Sequence, residues 1–207
     1  MTEPDVLLHI KNVSRDYVQG ENVVHALRHV SLTVGRGEFV AIAGPSGSGK
    51  TTLLNLCAGL DRPTKGTVRF GGRDLARLNR EQLADMRLHE VGFIFQAYNL
   101  IPVLSAEENA EFILLLQGVP AEERRRRVRE LLAEVGLAGA EGRRPGQLSG
   151  GQQQRVAVAR AIAAHPRLVL ADEPTANLDT ETALALLNIM ERLNQEHHCT
   201  FIFSTHD

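Results

Sequence analysis

Several residue types are scarce in this chain of 207 residues, which contains no tryptophan, two tyrosines and two cysteines. Two cysteines cannot form a disulfide framework, and because Cys57 and Cys199 both fall in apolar stretches, we predict buried, reduced thiols. Basic residues are nearly all arginine, since Lys11, Lys50 and Lys65 are the only lysines. A lysine inside a motif is therefore informative in this chain.

The sequence also lacks an excess of either charge and lacks long apolar runs. It has 23 Lys+Arg and 25 Asp+Glu, a formal net charge of −2, which argues against a protein whose main role is to coat nucleic acid or an anionic membrane. No apolar run approaches the roughly 18 residues that span a bilayer. The acidic N-terminus has no apolar run behind it, so no secretory signal is expected. A role at a membrane would need another polypeptide or a further part of this one.

The composition and the order of predicted elements indicate one folded α/β unit. Hydrophobic residues at 43% and charged residues at 23% are typical of globular proteins, and the length suits one large domain or a domain with an insert. Runs rich in β-branched residues at 6–10 and 23–34 predict an antiparallel layer, and Phe39–Ala43 predicts a buried parallel strand. Further strands are predicted at 67–70, 91–95, 168–171 and 200–204, and helices at 50–56, 81–89, 109–116, 122–135, 151–164 and 181–195.

This alternation predicts a mostly parallel sheet wrapped by helices. The helical block at about 102–146 is expected to be a subdomain inserted into a core of about 1–101 and 147–207. Ser105 and Glu108 form a capping-box pattern at the start of its first helix. We therefore expect a single domain over residues 1–207 with a helical insert.

An arginine-rich run in the insert, Glu122–Arg127, resembles a patch for nucleic acid or lipid. However, Glu122 and Arg126 are four residues apart, as are Glu123 and Arg127, with the acid first in each pair. That order favours ion pairs on an exposed helix face. A solvated helix face is the favoured interpretation.

A phosphate-binding loop lies between the buried strand at 39–43 and the helix that follows. Residues 44–51 read Gly-Pro-Ser-Gly-Ser-Gly-Lys-Thr and fit the pattern G-x-x-x-x-G-K-[ST]. The glycines allow backbone N–H groups to surround the phosphates, and the helix N-terminus adds partial positive charge. Lys50 would reach the β- and γ-phosphates, and the Thr51 hydroxyl would bind Mg²⁺. The predicted nucleotide-binding residues are Gly44, Pro45, Ser46, Gly47, Ser48, Gly49, Lys50, Thr51 and Thr52.

A pair of acids ends the apolar strand at 168–171. Asp172 stands where a phosphate-loop protein places the acid that holds Mg²⁺. Glu173 follows directly, so Asp172 can anchor the metal while Glu173 activates a water. Taken alone, an Asp-Glu pair is more often a solvated loop, and the phosphate loop upstream favours the catalytic interpretation.

A third motif points to a particular family. Leu148-Ser-Gly-Gly-Gln152, followed by Gln-Gln-Arg-Val-Ala-Val-Ala-Arg160, resembles the signature motif of the ATP-binding-cassette (ABC) family. The resemblance covers nearly the whole chain. Gln96, the segment Asn177–Asp179 and His206 match the family's Q-loop, D-loop and switch histidine, and Tyr17 sits where the family places an aromatic that stacks on adenine.

The resemblance implies an ATPase that works as a dimer. Ser149 and the N–H groups of Gly150 and Gly151 lie at a helix start, where they can bind an anion. In the family that anion is the γ-phosphate of an ATP on a partner subunit, so two copies enclose two ATP molecules head to tail. The resemblance implies ATP and Mg²⁺ as cofactors, with Glu173, His206 and Gln96 as catalytic residues, Thr51, Gln96 and Asp172 at the metal, and Tyr17, Ser149, Gly150, Gly151, Gln152 and Asp179 at the nucleotide.

Three sequence segments, at residues 59–66, 91–102 and 171–179, resemble those of the lipoprotein-releasing and macrolide-efflux group within the family. This implies an exporter or lipoprotein-extruding system, whose partner is a transmembrane permease subunit or a fused membrane domain at the cytoplasmic face of the plasma membrane. In the family a groove beside the Q-loop receives the permease. We expect Tyr98, Leu100 and Ile101 to supply apolar contacts there or to pack under the insert.

Two other functions are considered, and the chain departs from the family pattern at its C-terminal end. A cytosolic ABC ATPase acting on nucleic acid or the ribosome would typically carry a coiled-coil insertion or a second cassette, and neither is present. A nucleotide-binding module without catalysis is disfavoured because Glu173 and His206 are both in place. Family members usually continue beyond the histidine, so we expect a truncated chain or the leading part of a fusion.

Overall fold

The computed structural model describes residues 5–206, except for the side chain of Gln19. Residues 1–4 of the acidic N-terminus and Asp207 lie outside that range. In chain order the strands are β1 (Val6–Gln19), β2 (Asn22–Gly35), β3 (Phe39–Ala43), β4 (Lys65–Phe70), β5 (Arg73–Asp74), β6 (Val91–Ile94), β7 (Leu168–Ala171) and β8 (Thr200–Thr205). The helices are α1 (Lys50–Cys57), α2 (Arg80–Glu90), α3 (Ala106–Leu116), α4 (Ala121–Glu134), α5 (Gly150–Ile162) and α6 (Thr180–His197).

An antiparallel sheet of order β2-β1-β4-β5 forms one layer. Both long strands cover 14 residues, and β1 extends well past the predicted end at Ile10. Register shifts between Ile10 and Val13 and between Val13 and Arg15 accommodate the polar residues there, because a bulge re-aims side chains without ending the strand. The continuation carries Tyr17 toward the end of the sheet.

A parallel sheet of order β3-β8-β7-β6 forms the second layer. All four residues of β7 are buried, as expected for a parallel strand covered on both faces. The carboxyl ends of parallel strands meet at one edge of the sheet. That edge therefore gathers the phosphate loop after β3, the acids after β7, the histidine after β8 and Gln96 after β6.

The helical region between β6 and β7 packs α3 and α4 against α5, around a core that includes Leu114, Val128 and Val156. Ser105 and Glu108 form the predicted capping box at the start of α3. The structure thus has an antiparallel sheet, a parallel sheet with helices, and a helical region between β6 and β7. This architecture matches the predicted fold class.

The charged face of α4 differs in one detail from the prediction. Arg127 pairs with Glu123 at 2.7 Å as expected, but Arg126 pairs with Glu130 at 3.1 Å. The predicted pair of Arg126 with Glu122 is therefore wrong. An exposed arginine has a neighbour four residues away in either direction, and Arg126 takes the C-terminal one.

The two cysteines are buried free thiols, as predicted. Burial raises the pKa of Cys57 to about 12 and that of Cys199 to about 11, so neither forms a reactive thiolate at neutral pH. Among residues 5–206, every helix is too short or too polar to cross a membrane.

Candidate functional site

The phosphate loop joins β3 to α1 in a tightly packed turn. Gly47 and Gly49 have φ angles of 77° and 91°, which glycine adopts without steric cost. A Cβ at Gly49 would lie 2.4 Å from the carbonyl oxygen of Ala26 on β2. The pattern therefore requires glycine here both for the backbone angle and for contact with the antiparallel sheet.

Lysine and threonine of the loop meet the acids that follow β7. The Lys50 Nζ donates to the carbonyl oxygens of Gly44 and Pro45 at 2.7 and 3.1 Å and lies 3.4 Å from Oε1 of Glu173. The Thr51 Oγ1 donates to Oδ2 of Asp172 at 2.7 Å. Thr51 and Asp172 are 121 residues apart in sequence and share one site, so the two motifs predicted separately converge.

A buried serine on β8 links both acids and was missed by sequence analysis. The Ser204 Oγ donates to Oδ1 of Asp172 at 2.7 Å and accepts from the backbone N–H of Glu173 at 2.9 Å. Glu173 has a φ of 45°, a left-handed conformation that costs free energy in a non-glycine residue. His206 Nδ1 lies 3.4 Å from Oε2 of Glu173. Serine and histidine together thus surround the strained glutamate.

Gln96 follows β6 on an exposed loop at the same edge. Its carbonyl oxygen accepts from Nδ2 of Asn177 at 2.9 Å, which ties this loop to the segment after the acids. Within residues 5–206 the side-chain amide of Gln96 makes no hydrogen bond. It is therefore free to turn toward the site.

Tyr17 is held by a network that sequence analysis did not predict. Its hydroxyl donates to Oδ2 of Asp61 at 2.7 Å, and Arg15 Nε donates to the same oxygen at 2.8 Å. The Arg15 guanidinium also covers the Tyr17 ring, 4.4 Å from its centroid. Burial alone would raise the pKa of Asp61, but the Tyr17 hydroxyl, the Arg62 N–H and Arg15 outweigh it and hold that pKa below its usual value.

The signature motif forms the start of α5. Ser149 caps the helix, accepting from the N–H of Gln152 at 3.3 Å, and the Gln152 side chain accepts from the N–H of Ser149 at 2.9 Å. A Cβ at Gly150 would lie 2.8 Å from the Tyr98 hydroxyl, and one at Gly151 would lie 2.5 Å from Thr182. The motif therefore packs against the loop that carries Tyr98 and against the first turn of α6. Among the described residues no hydrogen bond joins it to the phosphate loop.

Asp179 has a structural role in this chain. Its carboxylate caps α6, accepting from the N–H and hydroxyl of Thr182 at 2.9 and 2.7 Å. These hydrogen bonds lower the pKa of Asp179. Its predicted contact with nucleotide stays a prediction.

An apolar groove of about 320 Å³ lies between the parallel sheet and α3. Its lining includes Leu60, Phe93, Phe95, Phe112 and Ile113, together with Arg87 and Arg160. Leu100, expected at such a groove, instead packs against the core around α5 and does not line the groove. Its neighbours are apolar core residues, so the packing alternative holds for Leu100.

The fold and the converging loops define a phosphate-loop nucleoside triphosphatase. The profile of the ABC transporter family matches residues 27–176, and the chain belongs to that family. It carries the family's ATP-binding, ATP-hydrolysing cassette, as the sequence motifs predicted.

Particular relatives refine this placement. The chain is 46% identical to the lipoprotein-releasing system ATP-binding protein LolD of Geobacter metallireducens, over 97% of this chain and 89% of that protein. It is 48% identical to the macrolide export ATP-binding/permease protein MacB 1/2 of Paracoccus denitrificans, over 97% of this chain, but it spans only 30% of that protein. A dimeric, post-hydrolysis structure of the ATP-binding cassette MJ0796 bound to ADP and Pi matches with a TM-score of 0.88 and 43% identity, over 97% of this chain and 88% of that one. The predicted resemblance to the lipoprotein-releasing and macrolide-efflux group is confirmed.

Proposed function

We propose that this chain binds Mg²⁺-ATP at the phosphate loop, hydrolyses it within a dimer and powers a membrane transporter. The observation that carries the proposal is the hydrogen bond of 2.7 Å between Thr51 and Asp172, with Lys50 and Glu173 beside it. It brings a phosphate-binding lysine, two oxygen ligands and a general base into one site. This is the set of groups that phosphoryl transfer to water requires.

Magnesium fits the donor set. The hydroxyl of Thr51 and the carboxylate of Asp172 offer hard oxygen ligands, which Mg²⁺ prefers, and the amide of Gln96 can add another from the neighbouring loop. When bound, the metal neutralises charge on the β- and γ-phosphates. Lys50 binds the same phosphates from the side of the loop, so cation charge surrounds them.

Glu173 acts as the base that polarises the attacking water. Its two carboxylate oxygens lie 3.4 Å from Lys50 Nζ and 3.4 Å from His206 Nδ1. Its backbone N–H is fixed by Ser204. The carboxylate is thus oriented between the phosphate-binding lysine and the histidine that senses the γ-phosphate.

A second copy of the chain completes each site. Tyr17 stacks on adenine, while Ser149, Gly150 and Gly151 at the start of α5 bind the γ-phosphate held by the partner's phosphate loop. The helix N-terminus favours this anion. Gln152 and Asp179 then act mainly by fixing the two helix starts. The dimeric state of MJ0796 with ADP and Pi supports the same arrangement.

The membrane partner is a permease subunit or a fused membrane domain of the exporter or lipoprotein-extruding kind. The similarity to LolD, a lipoprotein-releasing ATP-binding protein, and to MacB, a macrolide export protein, supports this role. The apolar groove beside α3 is the surface that receives the permease, with residues 102–146 as the inserted helical subdomain. Because ATP is supplied in the cytosol, the chain lies peripherally on the cytoplasmic face of the plasma membrane.

The test is the substitution Glu173→Gln, with Glu181→Gln on the exposed start of α6 as the control. Glu173→Gln should retain ATP binding and lower steady-state phosphate release by about a hundredfold or more, the scale of a lost general base. It should also elute as an ATP-dependent dimer on a sizing column, because bound ATP is no longer consumed. Near-normal hydrolysis by this variant, or no hydrolysis by the unmodified chain, would contradict the proposal.

A further inference from the structure

The loop after Gln96 has a strained backbone. Tyr98 and Asn99 are consecutive non-glycine residues with φ angles of 60° and 49°. A left-handed conformation is unfavourable for a bulky residue and is retained only where the surroundings enforce it. Short-range hydrogen bonds from the Tyr98 N–H to the Phe95 carbonyl and from the Asn99 N–H to the Ala97 carbonyl close the turn. These bonds lie within the loop and do not fix it to the rest of the fold.

Arg160 on α5 supplies that attachment. Its guanidinium donates to the carbonyl oxygen of Asn99 at 2.6 Å and to that of Tyr98 at 2.8 Å. Within residues 5–206, Arg160 has no carboxylate at ion-pair distance, and burial lowers its pKa. A planar guanidinium can grip two adjacent carbonyls at once. The Arg160 guanidinium thus holds the carbonyl groups of both residues that have left-handed backbone angles.

Two further side chains hold the same loop. Gln154, fully buried on α5, donates to the Phe95 carbonyl at 3.4 Å and to the Pro174 carbonyl at 2.7 Å. Asn177 donates to the Gln96 carbonyl. The attachments flank Gln96 on both sides, and most of them come from the helix that begins with the signature motif.

We propose that Arg160 is a positioning residue that holds the loop in its left-handed turn and thereby sets the reach of Gln96 into the ATP site. Arg160 also lines the apolar groove. A segment seated in that groove would therefore lie against the residue that holds the loop, which connects the groove to Gln96 through Arg160. This inference rests on the proposed ATPase function and identifies how that site is regulated.

The experiment compares Arg160→Gln with Arg125→Gln, which removes an exposed arginine on α4. In Arg160→Gln we expect faster amide hydrogen exchange in a peptide covering residues 95–104, with exchange elsewhere unchanged. We expect kcat to fall about tenfold to a hundredfold, the cost of a misplaced catalytic group, while ATP affinity stays at the unmodified value. Arg125→Gln should match the unmodified chain in all three measurements.

A rescue separates positioning from general destabilisation. Asn99→Gly in the Arg160→Gln background should restore part of kcat and of the exchange protection, because glycine adopts the left-handed angle without cost. Arg160→Lys should resemble Arg160→Gln, since a lysine cannot donate to both carbonyls in a fixed fork.

Three results would overturn the inference. They are an unchanged kcat in Arg160→Gln, a loss of kcat with unchanged exchange at residues 95–104, and a failure of Asn99→Gly to raise kcat. If Arg160→Gln does not fold, Arg160→Lys with and without Asn99→Gly gives the same decision. The exchange measurement needs no turnover, so failure of the ATPase proposal is recognised separately, by the absence of hydrolysis in the unmodified chain.

Discussion

Removing the Ser204 hydroxyl tests the part of the site that joins both acids. Ser204 is fully buried, donates to Asp172 and accepts from the backbone N–H of Glu173. Ser204→Ala leaves that N–H without its partner and removes one of the hydrogen bonds to the Asp172 carboxylate. The other carboxylate oxygen keeps its bond from Thr51.

The expected magnitude follows from these two groups. A buried polar group left without a partner costs about 1–3 kcal/mol. Asp172 retains one hydrogen bond and Glu173 is half-buried, so we expect the free energy of unfolding to fall by about 2–4 kcal/mol in total. The left-handed backbone of Glu173 also loses its support, so its carboxylate should shift, and kcat should fall roughly tenfold to a hundredfold.

The assay combines urea unfolding with steady-state phosphate release at saturating Mg²⁺-ATP. Ser14→Ala is the matched control, because Ser14 is a buried serine that accepts from the backbone N–H of His29 in the antiparallel sheet. The control should lose stability and keep its kcat. If Ser204→Ala loses stability like the control and keeps its kcat, the hydroxyl does not position Glu173, the proposed general base, and the reasoning is refuted.

Two further predictions concern Tyr17 and Glu90. Tyr17→Ala should weaken ATP binding, measured with a fluorescent nucleotide, by about 1–3 kcal/mol, the scale of base stacking. Tyr17→Phe should lose a smaller part, because it keeps the ring and loses only the hydrogen bond to Asp61, and an equal loss in both variants would contradict stacking. Burial raises the pKa of Glu90, but its hydrogen bonds and ion pairs with Arg73 and Arg167 outweigh this and hold that pKa below its usual value. The stability from these pairs is therefore complete above about pH 4.3 and lost as pH falls through the lowered pKa. Glu90→Gln should remove this acid-dependent loss of unfolding free energy, measured by urea unfolding between about pH 7 and 3. The same pH dependence of unfolding free energy in Glu90→Gln and the unmodified chain would contradict it.

Much of the fold could be predicted from the sequence because its signals are local. The strand β7 is an unbroken apolar run, and the capping box of Ser105 and Glu108 needs only three residues of separation. The phosphate loop is likewise a continuous motif, and Gly47 and Gly49 are recognisable because the turn needs their positive φ angles. Such patterns specify conformation before any tertiary contact forms, so most predicted elements agree with the structure, although β1 runs past its predicted end and β5 was not predicted.

The residues that sequence analysis missed act across long separations. Ser204 bonds to Asp172 over 32 residues, Arg160 reaches Tyr98 over 62, and Asp61 accepts from the predicted Tyr17 over 44. A serine in a strand and an arginine in a helix are ordinary residues until the fold places them. Arg126 illustrates the same limit locally, because Glu122 and Glu130 were both in reach and the order of charges in the sequence favoured the wrong one.

The strand order explains why Ser204 in particular was invisible. In the parallel sheet β8 lies between β3 and β7, although it is the last strand in sequence and β3 is the first of the four. The phosphate loop therefore leaves the sheet on one side of β8 and the acids leave on the other. A short polar side chain near the end of β8 is the group best placed to touch Asp172 and Glu173 from within the sheet. The two motifs that the sequence displays so clearly are thus joined by a residue whose importance is set by a crossover in topology.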